Sequence, residues 1–402
     1  MKRAIVLSGG GARGAYQMGF WKAIRELKID YQIVTGTSIG ALNGLLMVQK
    51  NFYKAYKMWY FMDYDMVLDD KIDAKYETIS GKRKIIMKYA KGAMKGGLNV
   101  TSLEKTIKSA FNPRLFFQSD IDYGLITVKF PSLEPIMMTK DKMTDENAVD
   151  YFLASAACFP AFKMKSIGSQ KYIDGGFYDN LPINLAIKMG AEEVIAVDLK
   201  AVGNVKKVDN KNIKITTISP RCEIGNFLVM EKEQARRAIK YGYNDTMKTF
   251  KVLEGDKYTF KRGSLIRNYN RKEKLFYNNL SLYLRNPKIK FSKIYGKNKL
   301  LEFNKILEQT ASSFDIDKTP IYRTSMLNTL IKKSYRKHKD TSFKNLKKLI
   351  KNGNIKSSFV SMELICYIYK EMILNKRSIN NLAILFPNSF LCAVYLKTII
   401  GK

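Results

Sequence analysis

The pentapeptide Gly36-Thr37-Ser38-Ile39-Gly40 has the pattern Gly-x-Ser-x-Gly. At a sharp turn from strand to helix, such a pattern strains the central serine and exposes its hydroxyl at the positive end of the helix, as a nucleophile for acyl transfer requires. A serine serving as an ordinary helix N-cap looks the same in sequence, so the motif alone leaves both readings open. Upstream lies Gly9-Gly10-Gly11-Ala12-Arg13-Gly14, directly after a short apolar run. Backbone N–H groups at such a turn have no intrahelical partners and suit an anion. Downstream, Asp174-Gly175-Gly176 follows Lys171-Tyr172-Ile173. Aspartate followed by two glycines is usually a turn former. Here it has a second meaning, because His338 is the only histidine in the chain and sits in a lysine-rich segment. A carboxylate within reach of a serine hydroxyl can take the proton that histidine usually takes.

The glycine run also fits Gly-x-Gly-x-x-Gly, the dinucleotide-binding fingerprint. That reading needs an acidic residue at the end of the second strand, and Asp30 instead precedes the strand at Ile33-Val34. A phosphate P-loop is excluded because Ala15 and Tyr16, rather than Lys and Ser/Thr, follow Gly14.

Elements to position these groups are legible around them. Arg3 to Ser8 reads as a buried strand, Ala12 to Leu27 as a helix with apolar residues at 16, 20, 24 and 27, Ile33-Val34 as a second strand and Ile39 to Val48 as a second helix. This β-α-β-α order predicts a parallel sheet. Gly124 to Phe130 and Pro135 to Thr139 read as paired strands, and Asp145 to Ala157 as a helix. Lys171 to Ile173, Glu193 to Leu199 and Ile213 to Ile218 complete the strands. Thr101-Ser102-Leu103-Glu104 has the form of a capping box opening a helix that ends before Asn112-Pro113. From about Glu231 onward, lysine-studded helical patterns dominate.

In order and spacing, the three glycine-containing motifs resemble those of the patatin-like phospholipases. Ala154-Ser155-Ala156-Ala157-Cys158-Phe159-Pro160 resembles the stretch that precedes the Asp-Gly-Gly in that family, and Asn180-Leu181-Pro182 the segment that follows it. The resemblance covers roughly residues 1 to 250. It implies an α/β fold, a three-layer α/β/α domain with a mainly parallel sheet, and a Ser-Asp dyad acyl hydrolase acting on phospholipid or other lipid esters. By matching position it makes Ser38 the nucleophile, Asp174 the base, and Gly9, Gly10 and Gly11 the oxyanion hole. Arg13 is either an anion or phosphate contact or a structural residue of the loop. Gly14, Gly36, Gly40, Gly175 and Gly176 complete the motifs. No metal and no cofactor is implied. Acyl transfer independently needs an exposed nucleophile, a base and pre-aimed donors, each donor typically worth about 10²- to 10³-fold in rate.

Composition bounds the rest. The 402 residues carry 70 Lys plus Arg against 36 Asp plus Glu, a formal charge of +34. Residues 1–200 hold 28 basic and 21 acidic side chains, whereas residues 201–402 hold 42 and 15. Such an excess suits nucleic acid, anionic lipid or an acidic protein surface, although a solvated lysine-rich surface needs no partner. Cys158, Cys222, Cys366 and Cys392 are too scattered for a zinc site or a disulfide framework, which points to a reducing compartment. The apolar run Ala4 to Leu7 is too short for a signal-peptide core. Leu382 to Ile400, interrupted by Pro387, Asn388, Ser389 and Lys397, reads as a packed helix rather than a membrane span.

Within 51–100, Lys84, Lys88, Lys91 and Lys95 recur at helical spacing, with Ile86, Tyr89, Ala90 and Ala93 on another face. This is a basic amphipathic helix that either lies on an anionic membrane or packs on the domain. Asp63, Asp65, Asp69 and Asp70 match no EF-hand spacing. Ser342, Phe343, Leu346, Ile350 and Gly353 outline a further helix among Lys344, Lys347, Lys348 and Lys351. The organisation expected is an acyl hydrolase domain over 1–254 and a mostly helical, basic C-terminal region over 255–402. A cytoplasmic protein is expected, peripheral at the inner face of an anionic membrane, with no nucleic acid partner. The competing reading is a membrane- or nucleic-acid-binding protein whose patatin-like domain is catalytically idle.

Overall fold

The computed structural model describes residues 1–69, 78–210, 212–283, 298–338, 343, 346, 356, 358–374 and 379–401. Its contacts divide the chain into two units, Met1–Thr249 and Phe250–Lys402.

The first unit opens with β1 (Arg3–Leu7), α1 (Ala15–Glu26), β2 (Ile33–Thr37) and α2 (Ile39–Val48). Helices α3 (Phe52–Tyr60), α4 (Ile79–Met94), α5 (Thr101–Ala110) and α6 (Pro113–Phe117) lead to the hairpin of β3 (Asp122–Phe130) and β4 (Pro135–Thr139). Then come α7 (Ala148–Ser155), β5 (Lys165–Ile167), β6 (Gln170–Asp174), α8 (Ile183–Lys188), β7 (Glu193–Val197), β8 (Lys214–Ile218) and α9 (Lys232–Thr249). The eight strands form one sheet. Its parallel core runs β3, β2, β1, β7, β8, while β4, β5 and β6 are antiparallel additions.

Strands covered on both faces are mostly apolar or hydrogen-bonded, and β2 and β7 are buried at every residue. On one face Ala4, Val6, Ile33 and Val194 pack with Ile183 and Ala186 of α8. On the other, Gly44 of α2 sits so close to Leu7, Val34 and Tyr123 that an added Cβ would touch all three. The result is the expected three-layer α/β/α architecture. Helices α1 and α9 approach still more closely. A Cβ on Gly19 would collide with the carbonyl of Ile239, and one on Gly242 with that of Tyr16.

The longest strand, β3, organises the sheet around the motifs. Ile126 pairs with both Thr37 of β2 and Met137 of β4, and Thr127 with both Asp174 of β6 and Ile136 of β4. A strand has two edges, so β2 and β6 share the edge opposite β4. β2 runs parallel to β3 and β6 antiparallel, so their C-terminal ends meet head to head.

Several local expectations change. A 3-10 turn over Gly11–Gly14 precedes α1, so the helix starts at Ala15 rather than Ala12. Thr101 is the first helical residue of α5 and not its N-cap. The cap comes instead from Asp69, whose carboxylate accepts the Ser102 N–H at 2.7 Å. Asp63 likewise accepts the Tyr64 N–H and pairs with Lys232. In α4 the buried positions are Gly81, Ile85, Tyr89 and Gly92, whereas Ile86 and Ala90, expected beside Tyr89, are exposed. Asp70, Lys339, Asp340, Ser342, Lys344, Lys347, Lys348, Ile350, Lys351 and Gly353 lie outside the described residues.

The second unit contains a small sheet of Leu253–Glu254, Thr259–Lys261 and Ile321–Tyr322. Its helices include Ser264–Tyr283, Lys299–Ser313, Thr324–His338, Met362–Ile373 and Pro387–Ile400. The last is buried almost all round, which explains its apolar composition. Polar groups on it are matched inside the unit: the Tyr395 hydroxyl donates to Asn328 Oδ1 at 2.8 Å and accepts from Asn268 Nδ2 at 3.2 Å. Among the described residues no helix is long and apolar enough to cross a membrane.

Candidate active site

Ser38 links β2 directly to α2 with φ 56° and ψ −128°. This left-handed backbone costs a non-glycine residue about 1–3 kcal/mol, and the surroundings must enforce it. Gly36 and Gly40 make the turn sterically feasible, since a Cβ on Gly36 would strike the Gly40 carbonyl and one on Gly40 the carbonyls of Leu7 and Ser8. The Ser38 side chain caps no helical N–H. Its hydroxyl is therefore not engaged as an N-cap, although its position in the chain is that of one.

A second serine holds the turn. The Ser38 N–H donates to Ser155 Oγ at 2.9 Å, and the Ser155 hydroxyl donates to the Ile126 carbonyl at 2.7 Å. Ser155 is fully buried at the end of α7 and bridges the point where the β2 and β6 ladders meet. Two residues on, the Ala157 carbonyl accepts the Asp174 N–H at 2.9 Å. One short segment thus tethers both Ser38 and Asp174. Sequence reading placed Ser155 only in a motif-like stretch; its contacts span 117 and 29 residues of chain and leave no local signal.

Asp174 ends β6 and is 6% exposed. Burial pushes its carboxyl up to about 6, against the opposing effect of hydrogen bonds from the Ser38 side chain and the Gly176 N–H. The Gly176 N–H lies 2.7 Å from Asp174 Oδ1. Gly175 must be glycine because a Cβ would strike the Ile126 carbonyl and the Thr37 methyl. Cys158 also reaches the site, but burial and the neighbouring Asp174 push its thiol up to about 12, so it is no thiolate nucleophile.

The three glycines of the first motif have different roles. The Gly9 N–H donates to the Asn180 carbonyl at 3.1 Å and is thereby engaged. Its place is fixed by crowding, since a Cβ there would meet the Asn180 side chain and Ser38 Cβ. Among the described residues nothing accepts a hydrogen bond from the N–H groups of Gly10 and Gly11. Both residues border the same cavity as Ser38. The triple-glycine donor set expected from sequence therefore reduces to two. Arg13 also resolves: Nε donates to the Gly225 carbonyl at 2.9 Å and Nη1 to that of Lys200 at 2.9 Å. Both bonds tie it to loops of the same unit, as a structural residue would be. Gly14 packs against Ile39 and the Trp59 ring.

Ser38 and Asp174 open into a cavity of about 500 Å³ whose walls are mostly apolar, including Leu42, Trp59, Met62, Phe162, Phe227 and Met230. Trp59 is fixed by its indole N–H, which donates to Asn43 Oδ1 at 2.8 Å. A hydroxyl beside a buried carboxylate, two unengaged N–H groups and an apolar chamber are the parts needed to bind an acyl chain and attack its carbonyl.

Comparison with known proteins concerns the chain that carries this arrangement. Residues 5–187 match the family described as patatin-like phospholipase. The mouse (Mus musculus) patatin-like phospholipase domain-containing protein 7 is 30% identical over 216 residues, which cover 52% of this chain and 14% of that protein. Lysophospholipase NTE1 of Kluyveromyces lactis is 28% identical over 202 residues, 49% of this chain and 12% of that protein. Among solved structures, VipD from Legionella pneumophila superposes with a TM-score of 0.40 at 13% identity, covering 100% of this chain and 91% of that one. Over residues 5–187, the chain matches the patatin-like phospholipase family.

Proposed function

We propose that the protein is a lipid acyl hydrolase that cleaves carboxylic esters through a Ser38 acyl-enzyme, with Asp174 as the base. The observation that carries the reading is the strained Ser38 beside the buried Asp174 carboxylate at the wall of an apolar cavity. The ionised Asp174 takes the Ser38 proton as Oγ adds to the ester carbonyl. The N–H groups of Gly10 and Gly11 receive the resulting oxyanion, the acyl chain occupies the cavity, and Asp174 returns the proton to the departing alcohol. Water, deprotonated by the same carboxylate, then adds to the acyl carbonyl; the bond to Ser38 Oγ breaks, Asp174 returns the proton to Oγ, and the fatty acid leaves. No step requires a cofactor.

The substrate class is a phospholipid or lysophospholipid. The relatives' names, a phospholipase domain protein and a lysophospholipase, support it, as does the size of the apolar chamber. The four free thiols and the lysine excess support a cytoplasmic setting at the inner face of an anionic membrane.

The test is hydrolysis of a p-nitrophenyl ester and of a phospholipid by the wild type, Ser38→Ala and Asp174→Asn. Both variants are expected to lose at least about 10³-fold in kcat. Undiminished turnover in either would remove that residue from the mechanism. Absence of turnover in the wild type would favour the competing reading, an idle domain on a lipid- or nucleic-acid-binding protein.

A further inference from the structure

The mouth of the cavity is bordered by apolar side chains that face solvent. Val202 and Phe177 line the chamber and are 91% and 47% exposed, so they mark where it opens. Val205, three residues along the same loop, is 55% exposed. Single exposed hydrophobics are ordinary, but two at the entrance to an apolar chamber, with a third on the same loop, form a patch with a purpose.

The loop that presents them is firmly built. The Asn204 N–H donates to the Gly176 carbonyl at 2.9 Å, and Asn204 Nδ2 donates to the Phe177 carbonyl at 2.6 Å. Asn180 donates its N–H back to the Asn204 carbonyl, and the Lys206 N–H donates to Asp179 Oδ1 at 3.3 Å. Gly203 passes so close to Asn180 that a Cβ would strike its side chain. The apolar rim is thereby fixed to the turn that carries Asp174.

Three lysines flank the patch, with Asp198 and the exposed Asp209 beside them. Lys200, Lys206 and Lys207 are exposed around Val202 and Val205. Lys200 pairs with Asp198 at 2.6 Å, and Lys206 lies 4.3 Å from the centre of the Tyr178 ring. An apolar tip between lysines complements a surface that is oily inside and negative outside.

We propose that the rim formed by Phe177 and the loop 199–207 docks on an anionic lipid bilayer, with Val202 and Val205 inserted among the acyl chains and the lysines against the headgroups. The cavity then opens directly onto the membrane, and a lipid chain enters without crossing water. The proposal rests on the acyl hydrolase reading for the meaning of the cavity, but its test does not depend on turnover.

The experiment uses the full chain carrying Ser38→Ala, with Val205→Trp as a reporter. The native Trp21 and Trp59 are buried; because Trp59 lines the cavity, the Ser38→Ala protein without the added tryptophan is measured in parallel and its signal subtracted. Vesicles of phosphatidylcholine and phosphatidylglycerol in equal parts are expected to shift the added emission to the blue. Brominated lipid in the same vesicles is expected to quench it. Unchanged emission while the protein cosediments with the vesicles would show docking through another surface and overturn the proposal, as would no cosedimentation at all. In the Ser38-containing protein, Val205→Asp with Lys207→Glu is expected to lower vesicle affinity at least about fivefold. Hydrolysis of a monomeric short-chain p-nitrophenyl ester should stay unchanged, and thermal unfolding should match the wild type. Equal vesicle affinity in that variant would contradict the proposal. Lack of ester turnover by the wild type would count against the hydrolase reading and leave the vesicle result standing.

Discussion

Thr37 and Asp174 occupy consecutive rungs on one edge of β3, opposite Ile126 and Thr127. Two strands that approach head to head there deliver Ser38 and Asp174 to one point, although 136 residues separate them in sequence. The meeting of the candidate nucleophile and base is thus a consequence of sheet register. A slip of either strand by one residue would turn its side chains to the other face.

Ser155 closes the gap between those two ladders, and its removal tests whether the bridge positions the nucleophile. Ser155→Ala leaves the Ser38 N–H and the Ile126 carbonyl unpaired, at a stability cost of about 1–3 kcal/mol. It is expected to lower kcat about 10- to 100-fold with KM within about twofold, because the group lost touches backbone and not substrate. Steady-state kinetics at a temperature well below unfolding measures this. A loss of stability with unchanged kcat would reduce Ser155 to a packing residue.

The raised carboxyl of Asp174 sets the pH behaviour. Its ionised form is the base, so kcat/KM should fall with unit slope as pH drops below about 6. Stability runs the other way. An unfolded aspartate titrates near 3.9, so the folded state holds this proton more tightly. The ionised carboxylate therefore costs stability, a cost absent below about pH 4 and complete above about pH 6, of order 3 kcal/mol for a shift of about two pKa units. Asp174→Asn should be more stable than the wild type at pH 8 by about 1–3 kcal/mol, and the advantage should vanish near pH 4. Calorimetry at the two pH values decides it, and equal stabilities at pH 8 would contradict the burial argument.

Arg13 distinguishes a structural loop tie from a phosphate contact. Arg13→Gln breaks the bonds to Gly225 and Lys200 and should destabilise the fold by about 1–3 kcal/mol. Any loss of turnover should be equal for a neutral p-nitrophenyl ester and for a phospholipid. A loss confined to the phospholipid would restore the role of anion contact.

The α1–α9 crossing predicts a stability effect remote from the chemistry. Gly242→Ala places a methyl against the Tyr16 carbonyl and must separate the helices. A cost of at least about 1–3 kcal/mol is expected, visible as a shift in the denaturant midpoint. A neutral effect would mean that the two helices can part without loss.

Much of this was legible before the structure, and the reason lies in how local each signal is. The β-α-β-α start, the Gly36–Gly40 elbow and the Asp174-Gly175-Gly176 turn are short-range patterns, and each element is present there, with α1 delayed to Ala15 by a 3-10 turn. What escaped were groups whose meaning depends on distant partners. Ser155 bonds to Ser38 and Ile126, Asp69 caps α5, and Gly9 has its N–H taken by Asn180. Ile86 reads as sharing a face with Tyr89 in α4, yet Ile85 is the position turned inward, because burial depends on what packs against the helix and not on periodicity alone. β5 went unseen because three residues, Lys165–Ile167, carry too little alternation to declare a strand.

The central claim is that Ser38 is the nucleophile, and covalent labelling tests it most directly. Treatment with a fluorophosphonate probe, followed by peptide mapping, should place one adduct on Ser38. The adduct should disappear in Ser38→Ala, and labelling should slow as pH falls below about 6 with protonation of Asp174. Modification of a different residue, or none in the folded wild type, would contradict the account.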